Sequence, residues 1–412
     1  MRSLRERGAL DVLSLEVFSS LQRCAINEPL FPNLRSLELW RVTAEFTPFI
    51  PLFLSHRTSA IVITSNGFDL PEPVVASMIT TFQTLCPNLE EIRFHPLPRD
   101  QIVTAAISGL VLSSNPNTLR YFYVDSPLTE EARGVLYKLP ELRGLWVIIE
   151  GPTSLPTVML PNLVKLDVEY DHDSDWLQGF RGATLGKLAS VTFRPGYQSN
   201  ENFLEAFESV ALTTSATTTL SQFKFYTSYP WRPNHRSLLR FTQLTELIIE
   251  FPCGSICSSN VDDDIIGTLA QTMPKLETLQ LGDPPCREFP TGVTAEGLAV
   301  LANHCPGLSI LRIHFQVASL GVPLAISGMA SNTGPAAPQR DCALKELEVG
   351  LIPVPEELVT MVALTLTCIF PRIAYVEYSD ESWGEVMDVI RCTPRQTASY
   401  SSKDQSSLCT SE

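Results

Sequence analysis

The chain has 412 residues, 44% of them hydrophobic and 18% charged, with a formal net charge of −15 and an isoelectric point of about 4.9. That length and apolar content suffice for a large core, but there is no Lys/Arg cluster of the kind a phosphate backbone or an anionic membrane requires. Neither nucleic acid nor membrane is expected as a partner, and no cofactor or metal is implied.

Taken in order, the chain begins MRSLRERGALDVLSL, which has basic residues but no apolar run long enough for a signal peptide. From residue 34 a spaced apolar triplet recurs. It opens as Leu34, Leu37, Leu39, returns weakly as Thr58, Ile61, Ile63, and then as Leu89, Ile92, Phe94 and Leu119, Phe122, Val124. It continues through Leu142, Leu145, Val147; Leu163, Leu166, Val168; Leu188, Val191, Phe193; Leu220, Phe223, Phe225; and Leu244, Leu247, Ile249. Leu276, Leu279, Leu281; Leu308, Leu311, Ile313; Leu344, Leu347, Val349; and Ile373, Val376, Tyr378 complete 13 units at intervals of 21 to 36 residues.

Helical segments are predicted between the strands. Thr129 reads as an N-cap, with Glu130 and Glu131 at the positive end of the helix. Asp262 to Asp264 open another helix, and 72–85, 201–212 and 355–370 read similarly. Pro87, Pro140, Pro274, Pro306 and Pro371 mark turns from helix to strand, because proline disfavours helix in the residue before it. The units around 142–188 are too short for a full helix and predict an extended or 3₁₀ convex side. The apolar run 358–370 is too short to span a bilayer and reads as a buried helix. The stretch 318–341, rich in Ser, Gly, Ala and Pro, predicts a loop extruded from one unit. The segment 391–412 lacks apolar spacing and predicts a disordered tail. The ten cysteines are scattered, which fits reduced thiols and a cytoplasmic or nuclear location.

A strand motif L-x-x-L-x-L returning at such spacing is the pattern of a leucine-rich repeat. The expected fold is an α/β solenoid over 1–390, with a curved parallel sheet on the concave side and helices on the convex side. One unit carries a further likeness. In GVTAEGLAVLANHCPGLSILRIHF, residues Val293, Thr294, Gly297, Leu298, Leu301, Ala302, Cys305, Pro306, Leu308, Leu311 and Ile313 fall on a known spacing. They resemble the cysteine-containing repeat of F-box/leucine-rich-repeat proteins, and the F-P-N-L and C-P-N-L junctions resemble its fungal branch. The resemblance implies a substrate receptor of a cullin-type ubiquitin ligase, reached through a Skp-type linker if an F-box lies upstream. No L-P-x-E segment precedes the first repeat, so the F-box is expected to be missing or diverged. A stand-alone repeat scaffold without a ubiquitin role is the alternative.

Four stretches invite an enzyme or metal reading, and each departs from its pattern. GFRGATLGKL at 179–188 has Arg181 where a phosphate loop needs glycine and Leu188 where it needs Ser or Thr. DHDSD at 171–175 alternates aspartates, but Trp176 and Gly182 replace the Gly and Glu of a calcium loop. Cys253 and Cys257, with His235, lack a second cysteine pair for a metal. Cys305 beside His304 is accounted for as the buried turn residue of its repeat. No catalytic set converges, so an enzyme is not expected. Side chains alternate along a strand, which places the third, fifth and seventh motif positions on the concave face. Interface hot spots are enriched in Trp, Tyr and Arg, so Trp40, Arg93, Tyr121, Tyr123, Trp146 and Tyr226 are the candidate partner-binding residues. The alternative is that these aromatics pack only on one another. Further on, Asp167, Glu169, Glu246, Glu250, Glu346 and Glu348 form a concave acidic half that would suit a basic peptide or simply a solvated surface. A monomer with a protein partner is expected.

Overall fold

A computed structural model of the chain describes residues 3–7, 15–24, 28–40, 42–64, 70–149, 159–170, 185–195, 215–226, 238–250, 261–282, 292–320, 342–350, 353–378 and 380–393. Among these residues one parallel sheet of 14 strands runs in chain order without a crossover. Its strands are β1 (Ser3–Arg7), β2 (Ser36–Trp40), β3 (Ala60–Thr64), β4 (Glu91–His95), β5 (Tyr121–Pro127), β6 (Gly144–Ile149) and β7 (Lys165–Tyr170). They continue as β8 (Ser190–Pro195), β9 (Gln222–Tyr226), β10 (Glu246–Glu250), β11 (Thr278–Leu281), β12 (Ile310–Ile313), β13 (Glu346–Gly350) and β14 (Tyr375–Tyr378). Each strand pairing only with its sequence neighbours is the topology of a solenoid, and the fold is an α/β leucine-rich-repeat solenoid.

The triplet explains the register. Leu37, Ile61, Ile92, Phe122, Leu145, Leu166 and Val191 stand level on consecutive strands, followed by Phe223, Leu247, Leu279, Leu311, Leu347 and Val376. All are buried. A one-residue slip would turn this entire row to the other face, so the apolar row locks the pairing. A backbone ladder reinforces it at the residues just before each strand. Ser59 N–H donates to Arg35 O, Glu90 N–H to Ser59 O and Arg120 N–H to Glu90 O, and the series continues to Ala374 N–H on Lys345 O.

The observed count exceeds the 13 units read from the sequence. Residues 3–24 form an additional unit: β1 pairs with β2 from Ser3↔Ser36 to Arg7↔Trp40, and helix α1 (Leu15–Cys24) buries Phe18 against Phe46, Phe49 and Phe53. The sequence hid this strand because Leu4 is the only apolar residue in SLRER. At the other end Tyr378, expected inward, is 40% exposed.

On the convex side lie α2 (Glu72–Leu85), α3 (Gln101–Ser113), α4 (Glu130–Leu136), α5 (Asp263–Thr272), α6 (Ala295–His304), α7 (Val317–Leu320), α8 (Val359–Ile369) and α9 (Ser382–Cys392). Their caps follow the expected chemistry. Thr129 accepts from Ala132 N–H at 3.4 Å, and Asp262 accepts from Ile265 N–H at 2.9 Å. Cys86, Met273, Cys305 and Phe370 end four helices with φ between −115 and −124° and ψ between 62 and 78°. Each precedes a proline, whose ring excludes the helical conformation there. The predicted helix 201–212 lies outside the described residues; of the predicted loop 318–341, residues 318–320 belong to α7 and the rest lie outside, and of the predicted tail 391–412, Arg391 and Cys392 end α9 and 394–412 lie outside.

Candidate functional site

On the concave face, Arg93, Tyr123, Trp146, Asp167, Thr192 and Lys224 stand level across β4 to β9. One row below, Tyr121 pairs with Gly144 and Gly144 with Lys165. Gly144 makes the arrangement possible. A Cβ there would lie 2.1 Å from the Tyr123 hydroxyl oxygen and 2.9 Å from Tyr121 Cδ1. Without that carbon, both tyrosines lean over β6 and stack, with centroids 6.4 Å apart and an interplanar angle of 14°. The Arg93 guanidinium sits 4.8 Å from the Tyr123 ring centroid while also pairing with Glu91, and Lys165 Nζ approaches the same ring at 5.6 Å. Burial pushes the Tyr123 hydroxyl up to about 12, with Arg93 opposing and Asp167, Tyr121 and Glu91 adding to the rise. Tyr123 is therefore a neutral hydrogen-bonding group at physiological pH.

A second group continues from Trp146. Its ring centroid lies 4.9 Å from that of His95, and Arg194 sits 5.5 Å from the Trp146 ring and 5.5 Å from the Tyr226 ring. His95 Nδ1 pairs with Asp125 Oδ2 at 2.8 Å, and Asp125 Oδ1 accepts the Leu97 N–H at 2.8 Å. Burial raises the Asp125 carboxyl above the usual range, opposed by His95 and by the bond from Leu97. Asp125 occupies an irregularity in β5, where the register with β6 shifts between Tyr123 and Pro127. From this anchor the segment 96–99 reaches β7, where Arg99 pairs with Glu169. Ile148, expected on the concave surface, is instead fully buried on the strand between.

Of the six residues singled out, Arg93, Tyr121, Tyr123, Trp146 and Tyr226 thus lie in one aromatic–cation cluster, completed by His95, Lys165 and Arg194. Trp40 does not join it. It is level with Thr64 and His95 on β2, is 38% exposed, and donates its indole N–H to Glu38 on its own strand at 3.0 Å. Sequence reasoning overlooked Arg194, although it holds the seventh motif position of the unit opened by Leu188. The expected acidic track is not open. Asp167 pairs with Lys165 at 3.2 Å, Glu246 with Lys224 at 2.8 Å, and Glu346 and Glu348 with Arg312 at 3.4 and 2.8 Å. These cations are concave residues of the same or neighbouring strands, so most of the carboxylates are matched within the sheet.

The remaining candidates separate cleanly. Cys305 is buried, donates weakly to Met273 O and Ala270 O at 3.5 and 3.7 Å, and has its thiol pushed up to about 12 by burial. It is a structural thiol, since the reactive form is the thiolate. Lys187 donates to Asn162 Oδ1 at 2.6 Å and Leu188 is core, while 179–184, 171–175, His235, Cys253 and Cys257 lie outside the described residues. Among the described residues no helix is long and apolar enough to cross a membrane.

No protein-family model matches the chain, and no curated protein sequence matches it. Solved structures do resemble it. The crystal structure of the Rad7–Elc1 complex of yeast aligns at 16% identity and a TM-score of 0.39, covering 67% of this chain and 77% of that one. An internalin of Listeria monocytogenes aligns at 11% identity and a TM-score of 0.40, covering 89% of this chain and 90% of that one.

Proposed function

We propose that the chain recognises a protein partner through its concave sheet, with Arg93, Tyr121, Tyr123, Trp146 and Tyr226 at the contact. One observation carries this reading: large aromatic rings lie side by side, half-exposed, on the face opposite the core, interleaved with cations. A fold that needed only solubility would place small polar side chains there. Tyr, Trp and Arg are the residue types that dominate binding energy when covered. Fourteen strands at about 4.8 Å give the sheet a length of roughly 60 Å, ample for the roughly 800 Å² per side of an ordinary interface.

Within that reading, the likeness of 292–315 to the F-box/leucine-rich-repeat unit supports the role of substrate receptor in a cullin-type ubiquitin ligase. A free-standing scaffold is the second reading, which needs the concave face alone and no ubiquitin machinery. Affinity purification of the tagged chain with mass spectrometry separates them: recovery of a Skp-type linker and a cullin supports the receptor, and their absence from a complex that retains its client supports the scaffold. For the contact itself, Trp146→Ala with Tyr123→Ala should abolish capture of the recovered partner with little change in thermal stability. Undiminished capture by that double variant sinks the assignment of this face.

A further inference from the structure

We infer that the cluster centred on Arg194 takes an aspartate or glutamate carboxylate from an extended acidic stretch of the protein partner. This rests on the proposed recognition by the concave face and names the chemistry of what binds there.

The cations of the concave face set Arg194 apart. Arg93, Lys165, Lys224 and Arg312 each have a carboxylate within 3.2 Å. Arg194 has no such partner among the described residues; its contacts are the faces of Trp146 and Tyr226. Even Glu169, its register neighbour on β7, is engaged by Arg99. In a chain with 45 acidic and 30 basic residues, a concave arginine left without a carboxylate is the exception. Two rings flank the guanidinium, so its position is set in advance while the planar fork of N–H donors remains open. Preorganisation of that kind lowers the entropy cost of binding.

A second unsatisfied donor lies beside it. The Trp146 Nε1–H is shielded from solvent and meets no acceptor among the described residues. A buried indole N–H ordinarily finds one. The guanidinium donates and does not accept, so the complementary ligand is an anion, and a carboxylate meets its fork with two parallel hydrogen bonds. A phosphate dianion fits less well. Only one cation is uncompensated here, and Asp167 and Glu169 flank it on β7.

Three fluorescein-labelled dodecapeptides test this by anisotropy: one of Gly, Ser and Glu, one with every Glu replaced by Gln, and one with phosphoserine at the Glu positions. The Glu peptide should bind best, and more weakly as salt rises. Arg194→Gln should weaken it by about tenfold or more, the equivalent of one charge-assisted bond. Arg194→Lys, which keeps the charge but loses the fork, should fall between. Lys275→Gln, whose parent amine donates to Gln243, should bind like the unaltered chain. No binding of the Glu peptide, equal binding of the Gln peptide, tighter binding of the phosphoserine peptide, or an Arg194→Gln variant that binds normally overturns the inference. The recovered natural partner separates the two levels. Loss of capture in the Trp146/Tyr123 double variant but not in folded Arg194→Gln refutes the carboxylate assignment alone, whereas capture unaffected by the double variant refutes the face itself.

Discussion

Two regions of the sheet use the same strand motif for different purposes. From β10 onward most polar groups are closed on one another, although the pairing of β13 with β14 shifts register between Glu348 and Gly350. Asp263 at the start of α5 accepts from both the Thr294 N–H, at 2.8 Å, and the Thr294 hydroxyl, at 2.6 Å, tying one helix start to the next. Cys342 donates to Cys305 O and Leu308 O at 3.8 Å, as Cys305 does to the repeat before it. On the concave side Arg312 draws in Glu346 and Glu348. From β4 to β9 the concave positions instead carry rings, a bulged strand and an arginine held by aromatics. Closed polar pairs therefore mark where side chains serve neighbouring repeats, and half-exposed rings mark where they are left facing outward. In the unit that best resembles a known repeat, the concave Arg312 is already paired with Glu346 and Glu348.

Three glycines divide these roles, and one substitution tests each. The largest effect is expected for Gly297→Ala. Its Cβ would lie 2.2 Å from Asp263 Oδ1, displacing a carboxylate that satisfies two donors. Hydrogen bonds to charged groups contribute about 1.5–3 kcal/mol each, so a loss of about 2 kcal/mol or more is expected as a lowered urea midpoint. Capture of the partner by the folded protein should be unchanged. A large loss of capture would mean that the region from β10 onward takes part in recognition.

Gly144→Ala inverts that outcome. The new carbon meets the far end of the Tyr123 side chain, which can swing away at modest cost. Stability should fall by about 1 kcal/mol, while Tyr123 leaves its place under Arg93 and Tyr121 loses its stacking partner. Partner capture should weaken by about tenfold, and the near-ultraviolet circular dichroism of the tyrosines should change. Unchanged capture, with the tyrosine signal altered, would remove the pair from the binding surface.

The architecture was readable because a period of apolar residues is a local property. Each triplet states which face is buried, and a parallel solenoid needs only neighbours to complete it. Two strand-level misses have the same origin in reverse. SLRER of β1 carries a single leucine and is held through backbone pairing with β2, and Ile148 is buried although its motif position faces the concave side. The cluster was half readable. Arg93, Tyr123 and Trp146 meet because the motif places them level on adjacent strands. Arg194 reaches Trp146 from two strands away, and which of several carboxylates a lysine or arginine pairs with depends on side-chain reach that no pattern encodes. For that reason the acidic track dissolved into pairs while Trp40, correct in type and position, stayed apart with Glu38.

The smallest effect belongs to Gly134, on the convex helix α4 behind the aromatic strands. A Cβ added there meets nothing within 4 Å. Glycine inside a helix costs about 0.5–1 kcal/mol relative to alanine, through the freedom it keeps when unfolded. Gly134→Ala should therefore raise stability by that amount, read as a higher urea midpoint. Because α4 lies on the convex side, the rings on the opposite face should not move, and capture should match that of the unaltered chain. The variant thus separates two explanations of the region from β4 to β9. If its concave rings are displayed by a rigid backing, stiffening α4 leaves binding as it was. If recognition instead depends on the backing yielding as the partner seats, added stability there lowers capture, and the two regions differ in compliance and not only in what they display.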